Sequence, residues 1–155
     1  MDIKLRPARL TALASGACAI ALALAACSDA SDSPEGVVEA FIDDGMAEYR
    51  SHLIEGDAEA AVEAAADYQC AEHVEERRES AEEFVALTGE EREQAVERLE
   101  EYSVPDDYSY EIGEVTEDGD TATVEIEITA DGETRNQTID VVKEDDEWKV
   151  CGFGL

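Results

Sequence analysis

Four cysteines are the residues of this 155-residue chain that are best suited to covalent chemistry: Cys18, Cys27, Cys70 and Cys151. Cys18 lies inside an apolar run, and Cys27 follows that run directly. Cys70 and Cys151 stand far apart in a charged region, and no CxxC spacing or histidine pattern supports a metal or redox role. A thiol can form a thioether, a disulfide or a metal bond, so the segment around each cysteine decides its chemistry.

The first 26 residues have the pattern of an export signal. Lys4, Arg6 and Arg9 give a positive start, and the apolar run over residues 10–26 contains no charge. That run is slightly short for a membrane span and suits the apolar core of a signal peptide. We therefore predict that residues 1–26 are a signal peptide.

The apolar run ends in Leu24-Ala25-Ala26-Cys27, which resembles the lipobox of bacterial lipoprotein precursors. In that family a diacylglycerol is attached to the cysteine thiol, and the signal is cut just before it. The resemblance implies lipidation at Cys27, a polar tether over residues 27–33, and a location on the extracytoplasmic face of the cell membrane. The alternatives are an uncleaved anchor helix and an ordinary signal beside which Cys27 is incidental.

Cys70 and Cys151 can pair with each other, because an exported compartment permits disulfides. A bridge between them would close a loop of about 80 residues and gain on the order of 4 kcal/mol in the chain-entropy model. We predict this disulfide; two buried free thiols are the alternative. Cys151 follows Val150 in a predicted strand, so either a bulge re-aims Cys151 or Cys70 lies at the sheet edge.

The charge of the chain is strongly negative. Without residues 1–26, 8 Lys and Arg would stand against 40 Asp and Glu, a net charge of −32. Nucleic acid and anionic lipid would be repelled, so neither is expected as a direct partner. An acidic, lysine-poor surface is typical of proteins that function in high salt, where ions screen the repulsion between the negative side chains. An ordinary acidic surface is the alternative.

Histidines and acidic pairs give no metal site in the sequence. His52 and His73 lack ligand spacing, and we interpret each as exposed or as a capping residue. Asp43-Asp44 and Asp118-Gly119-Asp120 could attract a cation, but neither completes a calcium loop with its dense oxygen ligands. They are interpreted as a helix surface and a turn, and the sequence predicts no metal and no cofactor.

Helical periodicity covers residues 34–102 of the chain. Ser33 and Pro34 predict an N-cap and the first position of a helix that runs to Glu55. Gly45 falls inside that helix, which indicates a close packing contact. Three more helices are predicted at about 58–68, 71–87 and 89–102, the last of them burying Ala95, Val96 and Leu99.

The hydrophobic period changes to two after Pro105. Apolar residues then alternate with polar ones up to Val150, which predicts four strands with one apolar face. Hairpin turns are predicted at residues 117–120, 131–132 and 144–146. Helices followed by an antiparallel meander indicate an α+β domain over residues 34–155, with the helices on the apolar face of the sheet.

Three stretches resemble the NTF2-like (cystatin-like) domains of bacterial lipoproteins, especially the DUF4878 and lumazine-binding-like group. They are the opening helix SPEGVVEAF from Ser33, the helix junction LIEGDAEAA from Leu53, and the final hairpin EDDEWKVC from Glu144. The resemblance implies a cone of helices on a sheet, with Trp148 packed in the core. The family turn usually carries Gly where this chain has Asp146.

The sequence favours a non-catalytic, membrane-tethered domain that binds an unknown envelope protein or small ligand. The alternative is a pocket enzyme or a carrier of lipid or small molecules, because cones of this type can hold a pocket. Asp67, Tyr68, Tyr49 and Tyr110 could supply an acid and tyrosines to such a pocket. No catalytic residue is predicted, since fold alone does not license function.

Overall fold

A computed structural model describes residues 30–101, 105 and 107–152. The long first helix begins at Pro34, as predicted, with the Ser33 hydroxyl accepting a hydrogen bond of 3.1 Å from the Gly36 amide. It comprises α1 (Pro34–Ala40), a π-helical turn (Phe41–Gly45) and α2 (Met46–Glu55). The π turn was not predicted, because a single widened turn leaves the apolar spacing almost unchanged.

Gly45 closes the π turn at a tight helix contact, as the sequence indicated. A Cβ atom at this position would lie 2.7 Å from Cδ2 of Tyr68. Tyr68 is the last residue of α3 (Ala58–Tyr68), so the missing side chain lets the two helices approach. The glycine therefore sets the distance between the first long helix and α3.

The remaining helices agree with the prediction to within a residue or two. Asp57 caps α3 by accepting a 3.0 Å hydrogen bond from the Ala60 amide, and α4 (Ala71–Ala86) and α5 (Gly89–Glu101) follow. The prediction that α5 buries its apolar side chains is only partly correct. Its apolar residues Ala95, Val96 and Leu99 are only half-buried, because α5 packs against α2 and α4 at the outside of the molecule.

The sheet is the predicted antiparallel meander, with the order β1-β2-β3-β4. Its four strands are β1 (Ser109–Asp118), β2 (Thr121–Ala130), β3 (Glu133–Glu144) and β4 (Glu147–Val150). The turns fall where they were predicted. In the last turn Asp145 and Asp146 both have positive φ angles, 52° and 70°, which aspartate tolerates better than most residues.

Two hydrophobic cores hold the domain together. The first lies between the sheet and the α1–π-turn segment, and it contains Trp148 as the resemblance implied. The second lies among α2, α3 and α4, around Leu53, Ala61, Val62 and Ala81. The buried members of the first core are Val37, Val38, Phe41, Ile42, Ala122, Val124, Ile126, Ile139, Val141, Trp148 and Val150.

In the described part of the chain, no helix has the length and apolar character needed to cross a membrane. The predicted signal peptide of residues 1–26 lies outside that part.

Candidate functional site

The structure joins Cys70 and Cys151 in a disulfide, with their Cα atoms 5.3 Å apart, which is the pairing that the sequence predicts. Cys70 is 1 % exposed, and its amide donates a 3.0 Å hydrogen bond to the carbonyl of Val150. The preceding residue, Gln69, forms a parallel bridge with Val150. Cys70 therefore lies at the edge of the sheet beside β4, and no bulge is needed to bring Cys151 to it.

The ends of α3 and α4 at this corner are held by two charged side chains of the β3–β4 hairpin. The Glu144 carboxylate accepts hydrogen bonds of 3.1 and 3.4 Å from the Ala71 amide, at the start of α4. Lys149 Nζ donates to the carbonyls of Ala66 and Asp67 near the end of α3, at 3.3 and 3.0 Å. Each charge is opposite in sign to the helix end that it contacts.

A surface cleft of about 350 Å³ opens at this corner, lined partly by Gln69, Val74, Glu144 and Lys149. Lys149 Nζ also lies 2.8 Å from a carboxylate oxygen of Glu147, and this hydrogen bond lowers the pKa of Glu147. Glu144, Glu147 and Lys149, which all line the cleft, are thus already paired with each other or with helix ends. The corner acts as a structural clamp.

A second cleft, of about 570 Å³, lies between α2 and α3 and is more open. Glu48, His52, Glu63 and Asp67 line it, so its wall is acidic. Neither cleft is lined by a residue of the first core. The first lies between the α3–α4 corner and the β3–β4 hairpin, and the second lies on the outer surface of α2 and α3.

The four residues considered for a catalytic pocket do not converge. Tyr49 packs against the second core, and its hydroxyl donates to the Arg77 carbonyl at 3.2 Å. Tyr68 and Tyr110 pack against the first core, while Asp67 is exposed. The structure therefore gives no single acid–tyrosine set from these positions.

Tyr110 has a different acidic partner, which the sequence did not indicate. Its hydroxyl donates a 2.8 Å hydrogen bond to Asp43, on the π turn. Burial raises the pKa of Tyr110, and the hydrogen bond to Asp43 raises it further. Asp43 is thus a hydrogen-bond acceptor that joins the first long helix to β1.

Each histidine lies beside a glutamate on its own helix. Nδ1 of His52 is 3.7 Å from Glu55, and Nδ1 of His73 is 3.2 Å from Glu76. Among the described residues, one group of possible metal ligands lies close enough to share an ion: Cys70, Glu144 and Cys151. Because its two sulfurs are bonded to each other, this group offers no thiolate.

Arg92, in α5, has a role that the sequence pattern did not reveal. One Nη atom donates to the carbonyls of Leu53 and Ile54 at 2.9 and 3.1 Å, and the other donates to the Phe84 carbonyl at 3.1 Å. The guanidinium also lies over the Phe84 ring, 4.7 Å from its centroid. A single cation therefore contacts the C-terminal turns of both α2 and α4.

Cys27 lies outside the described residues, and the nearest described element is a 3-10 turn, Ala30–Asp32. This turn contacts α1 and β4. The second half of the predicted tether is therefore packed on the domain.

Helices on one face of a four-stranded antiparallel sheet define an α+β domain. Residues 26–151 match DUF4878, a domain of unknown function, and the chain belongs to this family. Among solved structures, it is similar to a Campylobacter jejuni protein provisionally named an NTF2-like transpeptidase. The two share 15% identity over 70% of this chain and 95% of the other, with a TM-score of 0.33. No curated protein sequence matches.

Proposed function

We propose that this protein is a lipid-anchored envelope protein, held on the extracytoplasmic face of the cell membrane by a diacylglycerol on Cys27. The observation that carries the proposal is the sequence Leu24-Ala25-Ala26-Cys27 at the end of a charge-free apolar run with a basic start. The match to the family begins at residue 26, next to the proposed acylation site, which supports a boundary at this point.

The domain behind this anchor binds a protein partner or a small ligand of the envelope without catalysis. This role is supported by the packing between the helices and the sheet, where side chains occupy the interior of the domain. Side chains of α1 and the π turn, such as Val37 and Phe41, lie in one buried cluster with Ile126 on the apolar face of the sheet. A cone filled in this way presents its outer surface for recognition.

The anchor is tested by growing cells with an alkyne-tagged fatty acid and comparing the native chain with Cys27→Ala and Cys18→Ala. Cys18 is the matched control, because it lies in the predicted signal and has no lipobox before it. The native chain and Cys18→Ala should take up the tag and sediment with membranes, whereas Cys27→Ala should do neither. Label on the Cys27→Ala chain would contradict the proposal.

A second candidate function, a carrier or pocket enzyme, is favoured by one feature of the sheet. Gln137 pairs with Ile126 on the core-facing side, and its buried Oε1 has no hydrogen-bond partner. An unsatisfied buried acceptor costs about 1–3 kcal/mol, which a ligand that donates a hydrogen bond there would recover. Native mass spectrometry of the chain purified from its own envelope separates the two candidates. A retained small molecule that Gln137→Leu loses would favour the carrier, and a bare chain would favour the interaction module.

A further inference from the structure

The chain between the proposed acylation site and the packed domain is very short. Cys27 is three residues before Ala30, which begins the 3-10 turn Ala30–Asp32. Because an extended chain spans at most about 3.3–3.6 Å per residue, these three steps reach about 11 Å.

The domain end of this tether is fixed. The 3-10 turn contacts α1 and β4, and its first carbonyl oxygen, that of Ala30, lies close to Gly36 of α1. A Cβ atom at Gly36 would come within 2.6 Å of the Ala30 oxygen, so only glycine allows this approach. The Gly36 amide also donates to the Ser33 hydroxyl, which ties the turn to the start of α1.

Because the tether is short compared with the domain, it limits which side of the domain can face the lipid. A domain of this length has a radius of gyration of about 14 Å, which is more than the reach of the tether. We propose that acylated Cys27 seats the domain directly on the lipid surface, with the side that carries the 3-10 turn towards the headgroups. This inference rests on the proposed acylation of Cys27.

The opposite end of the sheet then points away from the lipid. The 3-10 turn contacts β4, whose Val150 pairs with Val141 of β3. Thr134, near the β2–β3 turn, is seven residues from Val141 along β3, which is about 23 Å at the rise of a strand.

The seating is tested in phosphatidylcholine vesicles that contain a nitroxide-headgroup lipid. Two variants of the acylated chain, Glu35→Cys and Thr134→Cys, are labelled with a fluorophore; both positions are exposed. The disulfide and the thioether leave the new thiol as the reactive one. We expect strong quenching at position 35, beside the 3-10 turn, and at least several-fold weaker quenching at position 134.

A matched control lengthens the tether by twenty Gly and Ser residues between Asp29 and Ala30. Such a linker has an end-to-end distance of about 25 Å, so the two positions should become similarly and weakly quenched. Equal quenching at both positions with the native tether, or no effect of the insertion, would overturn the seating. Fatty-acid labelling on the same samples separates the two proposals. A chain without acyl label refutes the anchor and the seating together, whereas an acylated chain with equal quenching refutes the seating alone.

Discussion

The contact of Arg92 with two helix ends gives the sharpest stability prediction. Its guanidinium donates hydrogen bonds of 2.9, 3.1 and 3.1 Å to carbonyls of α2 and α4. Arg92 is only half-buried, so each bond is assigned the lower part of the usual net range, about 0.5–1 kcal/mol. With about 0.5–1 kcal/mol for the contact to the Phe84 ring, Arg92→Met should lower the free energy of unfolding by about 2–4 kcal/mol.

The assay is urea unfolding followed by circular dichroism. The change in the free energy of unfolding is calculated from the shift of the urea midpoint, with the denaturant slope m held constant. Arg98→Met is the matched control, since it removes the same charge from an exposed position of the same helix. Arg92→Lys should recover part of the loss, because one ammonium group can reach one helix end but not both. In molar NaCl the effect should shrink only in part, as salt screens the helix-end charge but not the hydrogen bonds.

Two results would refute this reasoning. If Arg92→Met and Arg98→Met unfold at the same urea concentration, the loss reflects net charge and not the helix ends. If Arg92→Lys is as stable as the native chain, the simultaneous contact of Arg92 with the ends of α2 and α4 contributes nothing beyond a single positive charge.

Three further predictions concern other contacts. Replacing Cys70 and Cys151 by alanine should lower the free energy of unfolding by about 4–5 kcal/mol, given their separation of 81 residues; an unchanged urea midpoint would contradict this. Tyr110→Phe should lower it by about 1 kcal/mol at pH 7. Because burial and Asp43 raise the pKa of Tyr110, the native chain should lose stability as pH rises above about 10, more steeply than the variant in pH-dependent melting. The Asp107 carboxylate accepts from the amides of Gly132 and Asp131, at 2.7 and 3.0 Å, which lowers its pKa. Asp107→Asn should therefore be less stable at pH 7, and the difference should vanish as pH falls through that lowered pKa; a constant difference from pH 7 to 2 would argue against it.

The sheet could be predicted from sequence because its signals are local. Ala122, Val124 and Ile126 alternate with polar residues, and Asp131-Gly132 marks the turn that follows. Alternation fixes which side chains face the core, and the turn fixes the register. The N-caps at Ser33 and Asp57 could be predicted for the same reason, because a helix cap depends on residues that are adjacent in the sequence.

The features that the sequence did not reveal depend on contacts between distant segments. Arg92 meets Leu53, 39 residues earlier, only after α5 has folded back onto α2. Asp43 meets Tyr110 across 67 residues, so its pairing leaves no periodic signal. The half-burial of Leu99 likewise reflects where α5 lies, since an amphipathic pattern predicts a covered face but not how completely it is covered.

The bridge between Cys70 and Cys151 turns the segment between them into a covalent ring. The ring contains α4, α5 and the whole sheet, while α1, the π turn, α2 and α3 form an arm attached to it at Cys70. One cut in the peptide chain inside the ring, for example at the exposed Asp107, would leave both pieces joined and the arm still in place. Covalent loss of any part of the ring would require two cuts inside it, or one cut together with reduction of the bridge. The bridge thus protects the ring, which includes the whole sheet, against the loss of a fragment by a single proteolytic cut.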